Sequence, residues 1–506
     1  MAMEDILLCC LLMIVAVLVA YLAKKHQFIY LTESAAAMIL GILFGGLSKL
    51  FFDGGNLTFD NQAFFYWLLP IIIFNAGYSL KRKDFFRNFT TIMLFAVAGT
   101  VVSALAYGLL TYFLYLAGVI RHLSKEAPLL DSLMFGALIS AIDPVATLSI
   151  FQDVHAPTLL YNLVLGESLV NDASAIVLFR TFESFLDIKF TFSTIGVAIV
   201  QFCVISVAST ALGFVVSLLC ALVLKFIDSK SEYAKFELAF ILISAYVAYA
   251  VGELLSLSGI MSLFFCGICN AHYGYYNSSQ ASKIGSRYAL EALSFLAEIF
   301  VFGYLGMQVV LLDHKFDTGL ILSAIPLCLI SRAINIFPLS WLANKGRRWP
   351  ITTPMKSMMW LCGLRGAVSY ALAVNIPTKN RAIETTTLFI VVVTTLLFGS
   401  STGPMLKLLG LSSPPSSSRM TSLQAHELKY SHEEDDWGPR SVPHAVFRWL
   451  DQGYIKPVFG GRMDEALEPW LRERADDAVS EDGLSSDDEF SKSPEVTLMD
   501  MPPAIS

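Results

Sequence analysis

Residues 166–179 read GESLVNDASAIVLF, an apolar stretch that carries Glu167, Ser168, Asn171 and Asp172. On a helix Glu167 and Asn171 are i,i+4 neighbours, as are Ser168 and Asp172, so the four polar groups are expected on one stripe. A charged side chain at the centre of a bilayer costs roughly 2.5–3.5 kcal/mol on insertion scales. The stripe must therefore face a protein interior or a water-filled cavity. Oxygen donors of this kind suit a hard monovalent cation, which exchanges hydration water for a carboxylate, a hydroxyl and the free carbonyls of a broken helix. Desolvation disfavours the charged form of a carboxylate, so Asp172 can hold a cation or a proton, but not both. If the site changes sides only when occupied, competition for one carboxylate is obligatory exchange. Two other readings use the same stripe: a buried network that locks helices together with Arg332 or Arg365 as counter-charge, and a cation channel or proton leak.

Such a site needs a membrane domain to position it. The chain has 506 residues, 55% hydrophobic and 15% charged, with a mean hydropathy of +0.61. Soluble domains carry about 25% charged residues, so the composition points to an all-α protein that crosses the bilayer many times. At about 20 apolar residues per crossing, spans are expected near 6–23, 33–52, 62–80, 90–118, 131–151, 159–180, 193–224, 237–254, 258–272, 289–312, 318–342, 356–377 and 382–408. The first run lacks a basic leader and a clear cleavage site, and reads as a retained span. All eight cysteines fall in apolar runs, and CGIC at 266–269 has no second pair, so packing is favoured over a metal site. No nucleophile–base constellation, metal motif, phosphate loop or basic aromatic surface for nucleic acid is present in the sequence, and no cofactor is expected.

Thirteen spans put the two termini on opposite sides. With the C-terminal tail in the cytosol, the cytosolic loops hold 15 basic residues and the opposite loops 7, as the positive-inside rule requires. Asn56 in NLT then faces the lumen or exterior as a glycosylation candidate, while NFT (88–90) and NSS (277–279) face the cytosol and stay bare.

Two spans carry breaks: ALISAIDPVATLSIF has Asp143-Pro144 in its middle, and WLCGLRGAVSYALAV has Gly363, Arg365 and Gly366. Each alone reads as a kink or a glycine packing seam. Their places in the fifth and twelfth spans suggest inverted six-helix repeats around a linker span, with paired discontinuous helices at a midplane site.

FFYWLLPIIIFNAGY (64–78), GALISAIDPVATLSIF (136–151), GESLVNDASAIVLF (166–179), SGIMSLFFCGI (258–268), EIFVFGYLG (298–306) and LCGLRGAVSYALA (361–373) together resemble the eukaryotic sodium/proton exchangers. The resemblance covers about residues 30–408. It implies a homodimeric inverted-repeat exchanger with crossed discontinuous helices, Na⁺ or K⁺ and H⁺ as substrates, and no enzymatic reaction. Asp172 matches the family's ion- and proton-binding aspartate, with Asn171 beside it; Ser168 and Asp143 match groups near the ion. Glu167 matches the structural partner of an eleventh-span arginine, here Arg332, and Arg365 matches the arginine of the second broken helix. Glu298 sits in a family-like position to which its spacing assigns no role. The segment with Phe65, Pro70 and Gly77 is associated with amiloride-type inhibitors, but Pro70-Ile71 stands where Pro-Pro is common. The Asn-Asp pair resembles the electroneutral branch, and one carboxylate swapping one cation for one proton moves no net charge.

The chain divides by composition into a membrane domain, 1–410, and a tail, 411–506, with 19 acidic and 9 basic side chains. The tail is expected to be largely disordered and open to cytosolic regulators. A short amphipathic stretch near 442–460 is expected to meet the membrane lipids or a partner. That stretch resembles the tail of the organellar branch, which favours an endosomal or Golgi membrane over the plasma membrane. The serine-rich acidic run at 480–493 reads as a solvated spacer, with phosphorylation as its regulatory alternative.

Overall fold

The computed structural model describes residues 3–26, 32–51, 64–80, 82–123, 127–143, 147–148, 150–151, 154, 156–186, 192–227, 231–347, 350–378, 380–411 and 455–459. Asn56, Pro144 and the tail other than 411 and 455–459 lie outside them. Among the described residues every regular element is helical.

The helices that place the site are α1 (Met3–Lys25), α2 (Glu33–Phe51), α3 (Phe64–Tyr78), α4 (Phe89–Leu116), α5 (Pro128–Ser140), α6 (Thr158–Glu183) and α7 (Phe192–Phe226). They continue as α8 (Ala234–Leu254), α9 (Gly259–Cys269), α10 (Gln280–Leu311), α11 (Thr318–Gly346), α12 (Thr353–Leu361), α13 (Ala367–Val374) and α14 (Arg381–Leu408). Among the described residues eight helices are long and apolar enough to cross a membrane, and the segments 10–23, 64–78 and 128–140 are shorter apolar helices. Many of their large apolar side chains, such as Leu43, Val207 and Leu322, are exposed, which suits a lipid solvent.

Two groups of helices pack mainly among themselves. In the first, α2 lies along α10, α3 and α7 lie against α9, and α8 joins them. A methyl group on Gly41 of α2 would fall 2.0 Å from the Gly303 carbonyl oxygen of α10, so these two backbones touch and only glycine fits. In the second group α4 packs on α5 and α11, α5 on α6, and α13 on α14.

The second group contains both interruptions. α5 stops at Ser140, where Ala141 turns extended. The partner span is split into α12 and α13 by a non-helical stretch at Gly363–Gly366, with Gly366 itself extended. Two π-helical turns, 94–99 in α4 and 394–398 in α14, flank the breaks. Such turns are frequent at functional sites.

At 35 residues α7 exceeds the length needed to span the hydrocarbon core. Tail residues 455–459 lie against its C-terminal end: Lys225 Nζ donates to the Val458 carbonyl at 2.8 Å, and Asn277 Nδ2 to those of Phe459 at 2.7 Å and Ala221 at 2.8 Å. The asparagine of the NSS sequon is thus buried and bonded. Cys266 and Cys269 are buried free thiols in α9.

Candidate functional site

α6 carries Glu167, Ser168, Asn171 and Asp172, but they do not share one surface. Glu167, Ser168 and Asn171 are each 1% exposed. Asp172 is half-buried and shares a face with Leu165 and Leu169, seven and three residues earlier, and that face opens on a cavity. The single stripe expected from i,i+4 spacing is therefore corrected. Seven residues bring Leu165 and Asp172 nearly into register at 3.6 residues per turn, whereas Glu167 and Asn171 lie around the cylinder toward the interior.

The three buried groups hold the first break in place. Asn171 Oδ1 accepts from the Ile142 N–H at 3.2 Å, and its Nδ2 donates to Thr100 Oγ1 at 2.7 Å. Ser168 Oγ donates to the Ile142 carbonyl at 3.0 Å. Thr100 Oγ1 in turn donates to the Ala96 carbonyl at 2.6 Å, within the π-helical turn of α4. Neither Ser168 nor Asn171 is among the residues that line the cavity, and Ser168 braces the extended backbone next to Asp143.

The second break lies against the first and is joined to it. Asp143 N–H donates to the Leu364 carbonyl at 3.0 Å. Arg365, 1% exposed, donates from one guanidinium nitrogen to the carbonyls of Ser140 at 3.1 Å and Ala141 at 3.2 Å. Its own N–H donates to Thr394 Oγ1 at 3.1 Å, in the π-helical turn of α14. A cation at the C-terminus of α5 satisfies carbonyls that the interrupted helix leaves without partners and complements its dipole. The carbonyls of Ser140, Ala141 and Ile142, at the end of α5, thus accept hydrogen bonds from the Arg365 and Ser168 side chains. Gly366 completes the contact, because a Cβ there would lie 2.4 Å from both Cβ and Oδ2 of Asp143.

Glu167 lies deeper and is fully paired. The Arg332 guanidinium of α11 meets both its oxygens, at 2.5 and 3.1 Å, and also donates to the Met359 carbonyl at 3.0 Å. Arg365 makes no contact of this kind with Glu167; the two arginines take separate tasks.

The cavity has a volume of about 140 Å³. Asp143, Asp172 and Gly366 line one side, from the second group; Asn75 of α3 and Ser294 and Glu298 of α10 line it from the first. Among the charges acting on Asp172 are the negative Asp143 and the positive Arg365. Phe65, Pro70 and Gly77 do not line it. The cavity face of α3 is Leu69, Ile72, Ile73 and Ala76, spaced i, i+3, i+4, i+7, while Gly77 turns toward Phe264 of α9, where a Cβ would come 2.5 Å from a carbonyl oxygen.

Sequence reasoning missed Thr100, Thr394 and Ser294. Each is a small hydroxyl residue in an apolar helix, common enough that nothing local distinguishes it; the neighbouring π-helical turns are visible only in the backbone.

Residues 13–408 match the family described as "Sodium/hydrogen exchanger, transmembrane". The chain is 37% identical over 484 residues to "Sodium/hydrogen exchanger 8" of Rattus norvegicus, with 90% of this chain and 83% of that one covered. It is 36% identical over 417 residues to "Sodium/hydrogen exchanger 5" of Arabidopsis thaliana, covering 80% and 79%. Its fold is similar to the solved structure of the sodium proton antiporter MjNhaP1 from Methanocaldococcus jannaschii at pH 8, with a TM-score of 0.59 over 81% of this chain and 99% of that one; the identity is 19%.

Proposed function

The chain belongs to the sodium/hydrogen exchanger family, and from that premise we propose that it is an electroneutral antiporter in which Na⁺ and H⁺ compete for Asp172, with K⁺ as a further substrate. The observation that carries this reading is the placement of Asp172 and Asp143 on one cavity where two interrupted helices meet. A monovalent cation entering the cavity meets Asp172 and displaces its proton; a proton arriving from the other side displaces the cation. Asn171, Ser168 and Arg365 act by holding the crossing in shape, and Glu167 with Arg332 ties α6 to α11. Alternating access follows if the second helix group moves against the first, carrying Asp143 and Asp172 while α3 and α10 stay.

The membrane domain, 1–410, works as a homodimer, and the tail, 411–506, lies in the cytosol. In support, residues 455–459 touch Lys225 and Asn277, which the positive-inside count places on the cytosolic side. An endosomal or Golgi membrane is the compartment favoured by the tail's likeness to the organellar branch.

The test is purified protein in liposomes with a trapped pH dye, challenged in turn with Na⁺, K⁺ and Li⁺. Imposed cation gradients are expected to move protons in the opposite direction. Clamping the membrane potential with valinomycin, with Na⁺ as the transported ion, should leave the initial rate unchanged. A current uncoupled from the proton gradient would identify a channel or leak instead, and a reversal potential away from the balance point of the two gradients would remove one-for-one exchange.

A further inference from the structure

Arg180 and Glu253 join the two helix groups through their side chains. Arg180 stands on α6, which carries Asp172, and its Nη2 donates to Glu253 Oε2 at 3.0 Å. Glu253 stands on α8 in the first group, and α6 and α8 do not pack along one another. The first group fixes where Glu253 sits. Its Oε1 accepts from the Gly259 N–H at 3.2 Å, at the N-terminus of α9, where the helix dipole favours a carboxylate. Gly252 and Gly259 bring α8 and α9 together there, since a Cβ on Gly252 would fall 2.8 Å from the Gly259 Cα. Glu167–Arg332 and Asp317–His122, by contrast, lie within the second group, and Arg287–Glu291 within α10. The pair is also remote from the cavity, which neither residue lines; Arg180 is eight residues beyond Asp172, roughly 12 Å along α6. From Gly259 the chain runs through α9 to Asn277, which bonds the Phe459 carbonyl of the tail. About 18 residues at 1.5 Å each put the pair roughly 27 Å from that contact, at the opposite end of the membrane domain.

Building on the antiport reading, we infer that Arg180 and Glu253 form a latch that favours the arrangement of the two groups seen here over the one reached in the other half of the cycle. A shift of the second group against the first carries Arg180 away from the seat of Glu253, so the pair is made in one arrangement and lost in the other. An interaction biases a two-state equilibrium only by its difference between the states. That difference is modest here. The side chains of Arg180 and Glu253 are 48% and 27% exposed, and exposed pairs of this kind shift an equilibrium by about 1.4- to fivefold. Glu183, three residues along α6, also acts on Arg180 and is its partner after release. Each face of the membrane meets only the copies open to it, so a change in the equilibrium alters apparent cation affinity from the two faces in opposite senses. At equal pH the ratio of the two KM values then changes by the same factor as the equilibrium, for every transported cation alike.

The experiment uses the full chain with a C-terminal tag, reconstituted at low density and captured by the tag so that only tail-out vesicles are assayed. Initial exchange rates at equal pH are measured against Na⁺ concentration on the outer face and, separately, on the inner face, and repeated with Li⁺. Arg180→Gln and Glu253→Gln each remove one charge, and both should move the ratio of outer to inner KM in the same direction by about 1.4- to fivefold. The double variant should move it no further than the larger single change, as for two residues acting through one contact. Arg180→Lys keeps the charge and should stay near wild type. In Arg180→Cys/Glu253→Cys a bifunctional methanethiosulfonate reagent should arrest exchange and a reductant restore it. Each single-cysteine variant, which shares the exposed Cys10 and Cys203, should keep exchanging under the same treatment.

An unchanged KM ratio in both Gln variants would overturn the inference. So would opposite shifts in the two, additive effects in the double variant, or a ratio that moves for Na⁺ but not for Li⁺. Exchange at the wild-type rate after cross-linking would show that α6 and α8 keep their relative places, and a fall in kcat with both KM values unchanged would mark a packing role; either overturns it as well. Failure of the antiport reading is seen separately, as absence of coupled exchange in the wild type.

Discussion

Glu167 is 1% exposed and meets the Arg332 guanidinium with both oxygens, whereas Asp172, five residues along the same helix, opens on a cavity and faces Asp143. The helix thus presents one carboxylate paired with an arginine and one that opens on a cavity and forms no ion pair among the described residues. A paired charge in a dry interior is committed to structure, because separating the pair leaves an uncompensated ion. A charge beside a cavity can exchange its counter-ion without rearranging the protein. The comparison predicts that damage at the two positions will differ in kind.

The largest effect is expected at the open position. Asp172→Asn keeps nearly the same shape but cannot titrate, so cation-driven proton movement in liposomes should vanish. Thermal unfolding and dimerisation should stay at wild-type values. Coupled exchange above background in this variant would take Asp172 out of the mechanism.

At the paired position the expected loss is in stability. Glu167→Ala strands Arg332 in the interior, at a cost of about 3–5 kcal/mol for an unpaired buried charge. Expression and thermal stability in detergent should fall sharply. Replacing both partners by apolar residues of similar volume should recover much of that loss, since a buried ion pair is often no better than its hydrophobic replacement. A Glu167→Ala protein as stable as wild type but inactive in transport would reverse the comparison and make Glu167 a transport residue.

The contact between the two breaks can be strained directly. A methyl group on Gly366 would lie 2.4 Å from Asp143 Cβ and Oδ2, so the two breaks must part to admit it. Overpacking of this kind typically costs about 1–3 kcal/mol. Gly366→Ala should therefore unfold at a lower temperature and exchange more slowly; wild-type behaviour in both assays would mean that the breaks tolerate separation.

Much of this arrangement was legible before any coordinates. Asp143, Asp172 and Arg365 stand out because charge is costly in an apolar run, and Gly366 because it interrupts one. The family match, over residues 13–408, spans all four. What periodicity could not give was direction. The i,i+4 rule grouped Ser168 with Asp172, yet Ser168 bonds the Ile142 carbonyl and only Asp172 reaches the cavity. The position of the cavity depends on α3 and α10, far away in sequence, so one helix's pattern cannot say which of its faces is wet. The same limit applies to Phe65, Pro70 and Gly77, which sit one face away from the lining residues of α3.

Asp317 offers the mildest test, because it is a carboxylate satisfied without either an interior arginine or a cavity. It caps α11: Oδ1 accepts from the N–H groups of Gly319 at 3.0 Å and Leu320 at 3.3 Å. Oδ2 accepts from the backbone N–H groups of Arg121 and His122, both at 2.9 Å, and meets His122 Nδ1 at 3.0 Å. Burial pushes its carboxyl up, but the backbone N–H groups of Arg121 and His122, the His122 ring and the Leu320 N–H together hold it below the ordinary value of 3.8. A carboxyl depressed in the folded state adds stability above its unfolded pKa, about 3.9, and that stability is lost as pH falls through the lower folded value. Asp317→Ala should therefore cost about 0.5–2 kcal/mol near pH 7, the usual worth of a helix cap. The difference from wild type should hold down to about pH 5 and shrink below about pH 4 as the native carboxylate takes its proton. Thermal unfolding of both proteins in detergent across this range reads the effect. A gap that does not narrow in acid would show that Asp317 acts by shape alone, and that its carboxylate, unlike those of Glu167 and Asp172, owes nothing to its charge.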